Sequence, residues 1–160
     1  MTRSVSLLAL IALALAACGA SSAASSSSGT HATALTMQQV EAQTHGHPTV
    51  LLFTAQGCAS CVGEAKALQD AAGGRTDLRL GGVDMDPGDA TQALAAYVQA
   101  IGLQSSGFIW MVDAEGSLVR RYDITSLSSA VFLDSSGQAR FVNQGPQDAG
   151  TYSEQLSKLH

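Results

Sequence analysis

Hydrophobic and polar residues follow three rhythms along the chain. Positions 5–17 form an almost unbroken apolar run behind Arg3. The run is shorter than the roughly 20 residues a membrane-crossing helix needs, and it matches the apolar region of a secretory signal peptide. Positions 20–30 are nearly all Ser, Ala and Gly, a composition that buries no core and behaves as a flexible tether. Beyond position 35, short continuous apolar runs alternate with stretches in which apolar residues recur every three or four positions. That alternation is the signature of strands interleaved with helices, an α/β domain.

Residues 36–44 (TMQQVEAQT) read as a short surface helix, broken by Gly46-His47-Pro48. Thr49–Thr54 is a short continuous apolar run with β-branched residues, as expected of a strand covered on both faces. After the turn Ala55-Gln56-Gly57, Cys58 opens a helix to about Ala72. Its buried stripe is Cys61, Val62, Ala65, Leu68 and Ala72, and Gly73-Gly74 stops it. Residues 78–83 read as a second strand, weakened by Gly81-Gly82. Asp89 or Thr91 is expected to cap the next helix, with stripe Leu94, Tyr97, Val98 and Ile101 and terminator Gly102. Phe108–Val112 is a third strand. Residues 131–133 and 138–142 form a hairpin across Asp134-Ser135-Ser136-Gly137, and 149–159 a closing helix. Asp113-Ala114-Glu115-Gly116 echoes that turn without making a repeat. The order predicts an α/β fold, a central mixed β-sheet flanked by helices.

The apolar run at the amino terminus ends in Leu15-Ala16-Ala17-Cys18-Gly19, which resembles the lipobox of bacterial lipoproteins. The resemblance implies cleavage after Ala17 and diacylation of the Cys18 thiol, the lipid-attachment residue. The chain then divides into a signal peptide (1–17), a lipidated tether (18–34) and a folded domain (35–160). The expected location is extracytoplasmic, lipid-anchored to the bacterial cell membrane. A coil from Cys18 to about position 34 spans roughly 20–25 Å root-mean-square.

Composition adds exclusions. The formal charge is −5 and becomes about −6 once Arg3 leaves with the leader; Lys and Arg are scattered, and only Arg120-Arg121 are adjacent. A dispersed acidic pattern excludes a nucleic-acid partner and a polybasic membrane contact. His31, His45, His47 and His160 read as solvated, Trp110 as core, and Met85, between Asp84 and Asp86, as a strand end. No metal site is expected.

Cys58-Ala59-Ser60-Cys61 carries the chemistry. A cysteine at the mouth of a helix meets unpaired N–H groups and partial positive charge, which stabilise a thiolate, so Cys58 is the expected nucleophile. Cys61, one turn later, is the resolving thiol that attacks a mixed disulfide at Cys58. A static staple is disfavoured because so small a loop removes little chain entropy. Zinc would need two further ligands that no second CxxC or His-x-x-x-His supplies. The redox-active disulfide needs no cofactor.

Residues 53–61 (FTAQGCASC) resemble the F-W-A-x-W-C-x-x-C segment of the thioredoxin superfamily. Tyr122-Asp123-Ile124, followed by residues 130–137 (AVFLDSSG), is similar to the Y-G-V…P-T-x-F-L-I-D-x-x-G segment of extracytoplasmic TlpA/ResA-type thioredoxins. The strand at 108–113 matches the insertion that separates that group from plain thioredoxin. The resemblance covers most of residues 48–145. It implies a thioredoxin-like fold and a membrane-tethered thiol–disulfide oxidoreductase, usually a reductase of protein disulfides such as those of apocytochrome c. Electrons would come from a membrane protein of the DsbD/CcdA kind. Two positions depart from the pattern. Gly57 replaces a tryptophan, and Ser128 replaces the cis-proline of the substrate groove. A cis bond before serine costs about 2.5–4 kcal/mol, so a trans bond and a reshaped loop are expected. Two other readings use the same residues: a copper(I) carrier binding through both thiolates, and a degenerate thioredoxin fold that only docks partners.

Overall fold

A computed structural model describes residues 33–34, 37–104 and 106–160. The signal-peptide positions, Cys18 and His31 lie outside the described residues. Strands β1 (Thr33–Ala34), β2 (Thr49–Thr54), β3 (Arg79–Asp84), β4 (Phe108–Val112), β5 (Ser129–Leu133) and β6 (Ala139–Asn143) form one sheet in the order β1-β4-β3-β2-β5-β6. The first four neighbours run parallel, while β5 lies antiparallel to both β2 and β6. The mixed sheet is as expected. Thr33 and Ala34, assigned from composition to the tether, instead pair with Met111 and Val112.

Helices α1 (Met37–Thr44), α2 (Ala59–Ala72), α3 (Thr91–Ala100), α4 (Ser117–Arg121) and α5 (Ala149–Ser157) connect and cover the strands. Alternation along β2 divides the core. Val50 and Leu52 pack with Leu68, Leu94, Trp110, Phe132 and Tyr152 beneath α2, α3 and α5. Leu51 and Phe53 pack with Val40, Met111, Leu118 and Ile124 beneath α1 and α4. All six residues of β2 are buried, the consequence of a strand covered on both faces.

Gly81-Gly82 does not weaken β3; it makes room. A Cβ on Gly82 would lie 2.3 Å from Cε3 of Trp110, and one on Gly81 2.8 Å from Cδ2 of Leu51. The glycines let the large side chains of neighbouring strands cross β3 on both faces. Ala90, not Asp89 or Thr91, is the residue before α3, and no side chain caps that helix. Asp86 instead accepts the Gly88 N–H at 2.9 Å, holding the preceding turn. The turn at Asp113 continues into α4, an element the sequence pattern missed. Buried Asp113 accepts the backbone N–H groups of Ser117 at 2.8 Å and Val119 at 2.9 Å. The hairpin turn is as expected, with Asp134 Oδ1 accepting from the Ser136 and Gln138 N–H groups and Gly137 at φ 80°.

Candidate active site

β2 delivers the chain into the turn at residues 55–57, where Gly57 holds φ 80° and stands in open space. The extended backbone of Cys58 then caps α2. Its Sγ accepts the Cys61 N–H at 3.3 Å, placing the sulfur among the unpaired N–H groups of the first turn. Cys58 is half-buried, Cys61 is 3% exposed, and a disulfide joins them. The geometry therefore separates an accessible sulfur at the helix mouth from a sheltered one behind it, the division of labour expected of nucleophile and resolving thiol.

Ser128 closes the site from β5. It is 1% exposed, its φ is 61°, and among the described residues no peptide bond is cis. The reshaped loop thus takes a left-handed serine where the related pattern has proline. Having an N–H, Ser128 donates it to the Phe53 carbonyl at 2.9 Å, which ties the loop to the end of β2. Its hydroxyl donates to Cys61 Sγ at 3.4 Å and lies 3.4 Å from Ser60 Oγ, which itself lies 3.4 Å from Cys58 Sγ.

The loop below is strongly bonded. Ser129, fully buried, donates its hydroxyl proton toward the Ser126 carbonyl at 2.7 Å and accepts the Gly145 N–H at 3.1 Å. Gln144 Oε1 accepts from the Thr125 N–H at 3.0 Å, and Nε2 donates to the Asp123 carbonyl at 2.9 Å. Asp123, at the glycine position of the Y-G-V resemblance, holds φ 52°. Leu127, beside Ser128, is an exposed large apolar side chain, 41% accessible.

Sequence reasoning missed two buried acids. Glu64 lies on the covered face of α2 one turn beyond Cys61, where it accepts the Tyr152 hydroxyl and, at 3.3 Å, the Gln147 N–H. Burial first, and then Glu64, push the Tyr152 phenol far above its ordinary range. A charged residue at i+3 from a buried cysteine, inside an apolar stripe, was the available signal. Asp84 ends β3 with no exposed surface, and burial pushes its carboxyl up to about 6, with Asp89 adding to the rise and the Asp86 N–H and Gln56 opposing it. Asp84 Oδ2 and Gln56 Nε2 are buried without a hydrogen-bond partner. Tyr97 reaches the Cys58 carbonyl at 3.4 Å, and its phenol is raised by burial and by Asp84.

Trp110 is core, as expected. His47 is not simply solvated: it is half-buried, with Nδ1 3.3 Å from the Asp77 carbonyl and Nε2 3.3 Å from Arg79. Met85 packs against the α1/α4 face of the core.

Helix-capping dithiol and mixed sheet define a class: the thioredoxin-like fold bearing a CxxC disulfide, the arrangement of thiol–disulfide oxidoreductases. No protein-family model matches the sequence. The chain is 28% identical over 108 residues to "Mercury resistance operon ORF3" of Streptomyces lividans, covering 62% of this chain and 53% of that one. It therefore spans about half the length of the curated relative it matches. Among solved structures, a secreted Mycobacterium tuberculosis disulfide oxidoreductase homologous to E. coli DsbE is 25% identical, with TM-score 0.59, covering 74% of this chain and 86% of that one. The MTB DsbF is 24% identical with TM-score 0.62, covering 74% and 84% respectively. Among the described residues no helix is long and apolar enough to cross a membrane.

Proposed function

We propose that this protein is an extracytoplasmic thiol–disulfide oxidoreductase that works as a reductase of protein disulfides, held at the membrane through lipid on Cys18. One observation carries the reading: Cys58 and Cys61 form a disulfide at the amino terminus of α2, one sulfur accessible and the other sheltered. In the reduced protein the Cys61 N–H and the helix terminus favour thiolate at Cys58. That thiolate attacks a substrate disulfide, forming a mixed disulfide and expelling one substrate thiolate. Cys61 then attacks Cys58 Sγ, closing the bond between them and releasing the second substrate sulfur with its electron pair. Two electrons pass from dithiol to substrate.

The secreted neighbour supports a location outside the cytoplasm, and the lipobox-like segment at Cys18 supports the tether. Apocytochrome c is a substrate class this reading admits, and a membrane protein of the DsbD/CcdA kind is the fitting electron donor. C58S is expected to abolish reduction of insulin-type disulfides, and C61S to accumulate a mixed disulfide at Cys58. Full activity in C58S would overturn the proposal. Anaerobic titration of the reduced protein with Cu(I) separates it from the copper-carrier reading, which requires tight binding at one equivalent.

A further inference from the structure

Resolution of the mixed disulfide poses a proton problem. Cys61 must lose its proton to attack, yet its side chain is buried. The departing substrate sulfur, meanwhile, gains a proton at the exposed side of Cys58. Between the two sulfurs lie two hydroxyls. Ser128 Oγ is 3.4 Å from Cys61 Sγ, Ser60 Oγ is 3.4 Å from Ser128 Oγ, and Cys58 Sγ is 3.4 Å from Ser60 Oγ. Two sulfurs and two hydroxyls form a closed ring. Ser128 is 1% exposed, whereas Ser60 is exposed, so the path runs from the buried thiol to the surface.

We infer that Ser128 and Ser60 relay the Cys61 proton to the leaving substrate sulfur during resolution. The inference rests on the oxidoreductase reading above. The step balances. Cys61 Sγ–H gives its proton to Ser128 Oγ as the Ser128 proton passes to Ser60 Oγ, and the Ser60 proton passes to the substrate sulfur leaving Cys58. The Cys58–substrate bond breaks, the Cys58–Cys61 bond forms, and both serines end as they began. A serine hydroxyl both donates and accepts, so the chain needs no net charge. Separations of 3.4 Å are long for hydroxyl pairs at rest, and catalytic hydrogen bonds commonly tighten only in the reacting complex.

The surrounding titratable groups take other partners. Glu64, on α2, is engaged by Tyr152 of α5 and by the Gln147 N–H. Tyr97, on α3, donates to the Cys58 carbonyl rather than to a sulfur. Asp84, on β3, accepts the Asp86 N–H at 3.1 Å, and Asp89 lies beside it. A proline in place of Ser128 would bring no hydroxyl.

The test is rapid mixing of the full-length reduced protein with oxidised glutathione, an alkyl disulfide whose leaving thiol takes up a proton, followed by acid quench and mass spectrometry. Appearance of the glutathione mixed disulfide reports attack by Cys58, and its conversion to the Cys58–Cys61 disulfide reports resolution by Cys61. In S128A and S128G the second phase is expected to slow by about tenfold or more relative to the first, the lower end of acid–base contributions. S128G relieves the left-handed backbone while also removing the hydroxyl, so agreement between the two variants separates chemistry from strain. The slowed phase should rise with pH, as Cys61 loses its proton to solvent, where the parent is flat. S60A should slow it too, and the S60A/S128A pair should be no slower than the slower single variant, because the two serines act as one unit. A second phase unchanged in both Ser128 variants, or single effects that multiply in the pair, overturns the relay. A parent protein that never closes the Cys58–Cys61 disulfide overturns the oxidoreductase reading itself.

Discussion

The two flanks of the dithiol treat buried polar groups in opposite ways. On the β5 flank, beside Ser128, Ser126, Ser129, Gln144 and Gly145 form a network in which Ser129 both donates and accepts. On the β3–α3 flank, Asp84 Oδ2 and Gln56 Nε2 are buried with no partner. A satisfied network holds a backbone in a conformation it would otherwise leave, here the left-handed Ser128 that meets Cys61. A buried carboxylate with one oxygen left unpaired does the reverse. It destabilises the fold while charged and makes stability depend on protonation. The site is therefore rigid on the side that touches the sulfurs and acid-responsive on the other.

Removing the centre of the network should show the largest effect. S129A leaves the buried Gly145 N–H without its acceptor and is expected to cost about 2–3 kcal/mol, read by denaturant unfolding. A cost below about 0.5 kcal/mol would mean that the β5 flank does not depend on its hydrogen bonds.

The opposite sign is expected at Asp84. The folded protein holds that proton up to about 6, whereas the ordinary carboxyl releases it near 3.8. The raised value favours the folded state fully below pH 3.8, and the contribution is lost as pH rises through about 6. D84N should remove this dependence and exceed the parent's stability above that window by on the order of 2 kcal/mol. Parallel stability–pH curves for the two proteins would erase the contrast between the flanks.

Smaller effects sharpen the picture. Gln144 ties the Thr125 N–H to the Asp123 carbonyl from an exposed position, and Q144A is expected to cost about 1 kcal/mol. It should also speed hydrogen exchange at residues 123–128, a local loosening that leaves the β3 flank untouched. D123G should stabilise by less than about 1 kcal/mol, because glycine adopts the left-handed backbone without strain while gaining freedom in the unfolded chain. Loss of stability in D123G would show that the aspartate side chain, rather than its carbonyl, anchors the loop.

Much of this molecule was legible along the chain. A covered strand, a glycine turn, a cysteine opening a helix and a Gly-Gly stop place Cys58 and Cys61 by local rules alone, since capping and periodicity act within a few residues. The hairpin at Asp134 and Gly137 follows the same logic. Other features depend on partners distant in sequence. Gly81 and Gly82 read as flaws until Leu51 and Trp110 cross them. Glu64 drew no notice in the sequence, and its role depends on Tyr152, 88 residues on, which bonds it. Asp89 and Thr91 both had capping chemistry, yet neither caps α3.

The sequence by itself pointed to the pairing of Cys58 with Cys61 at one helix end, because only Ala59 and Ser60 separate them. Only the tertiary structure decided what surrounds them. Ser128 comes to Cys61 from 67 positions away because β5 lies antiparallel to β2. Its φ of 61° is held by the Phe53 carbonyl and the Ser129–Gln144 network, not by its own preference. Asp84 is poised to titrate because packing buries it at the end of a parallel strand, and no local pattern marked that aspartate as buried.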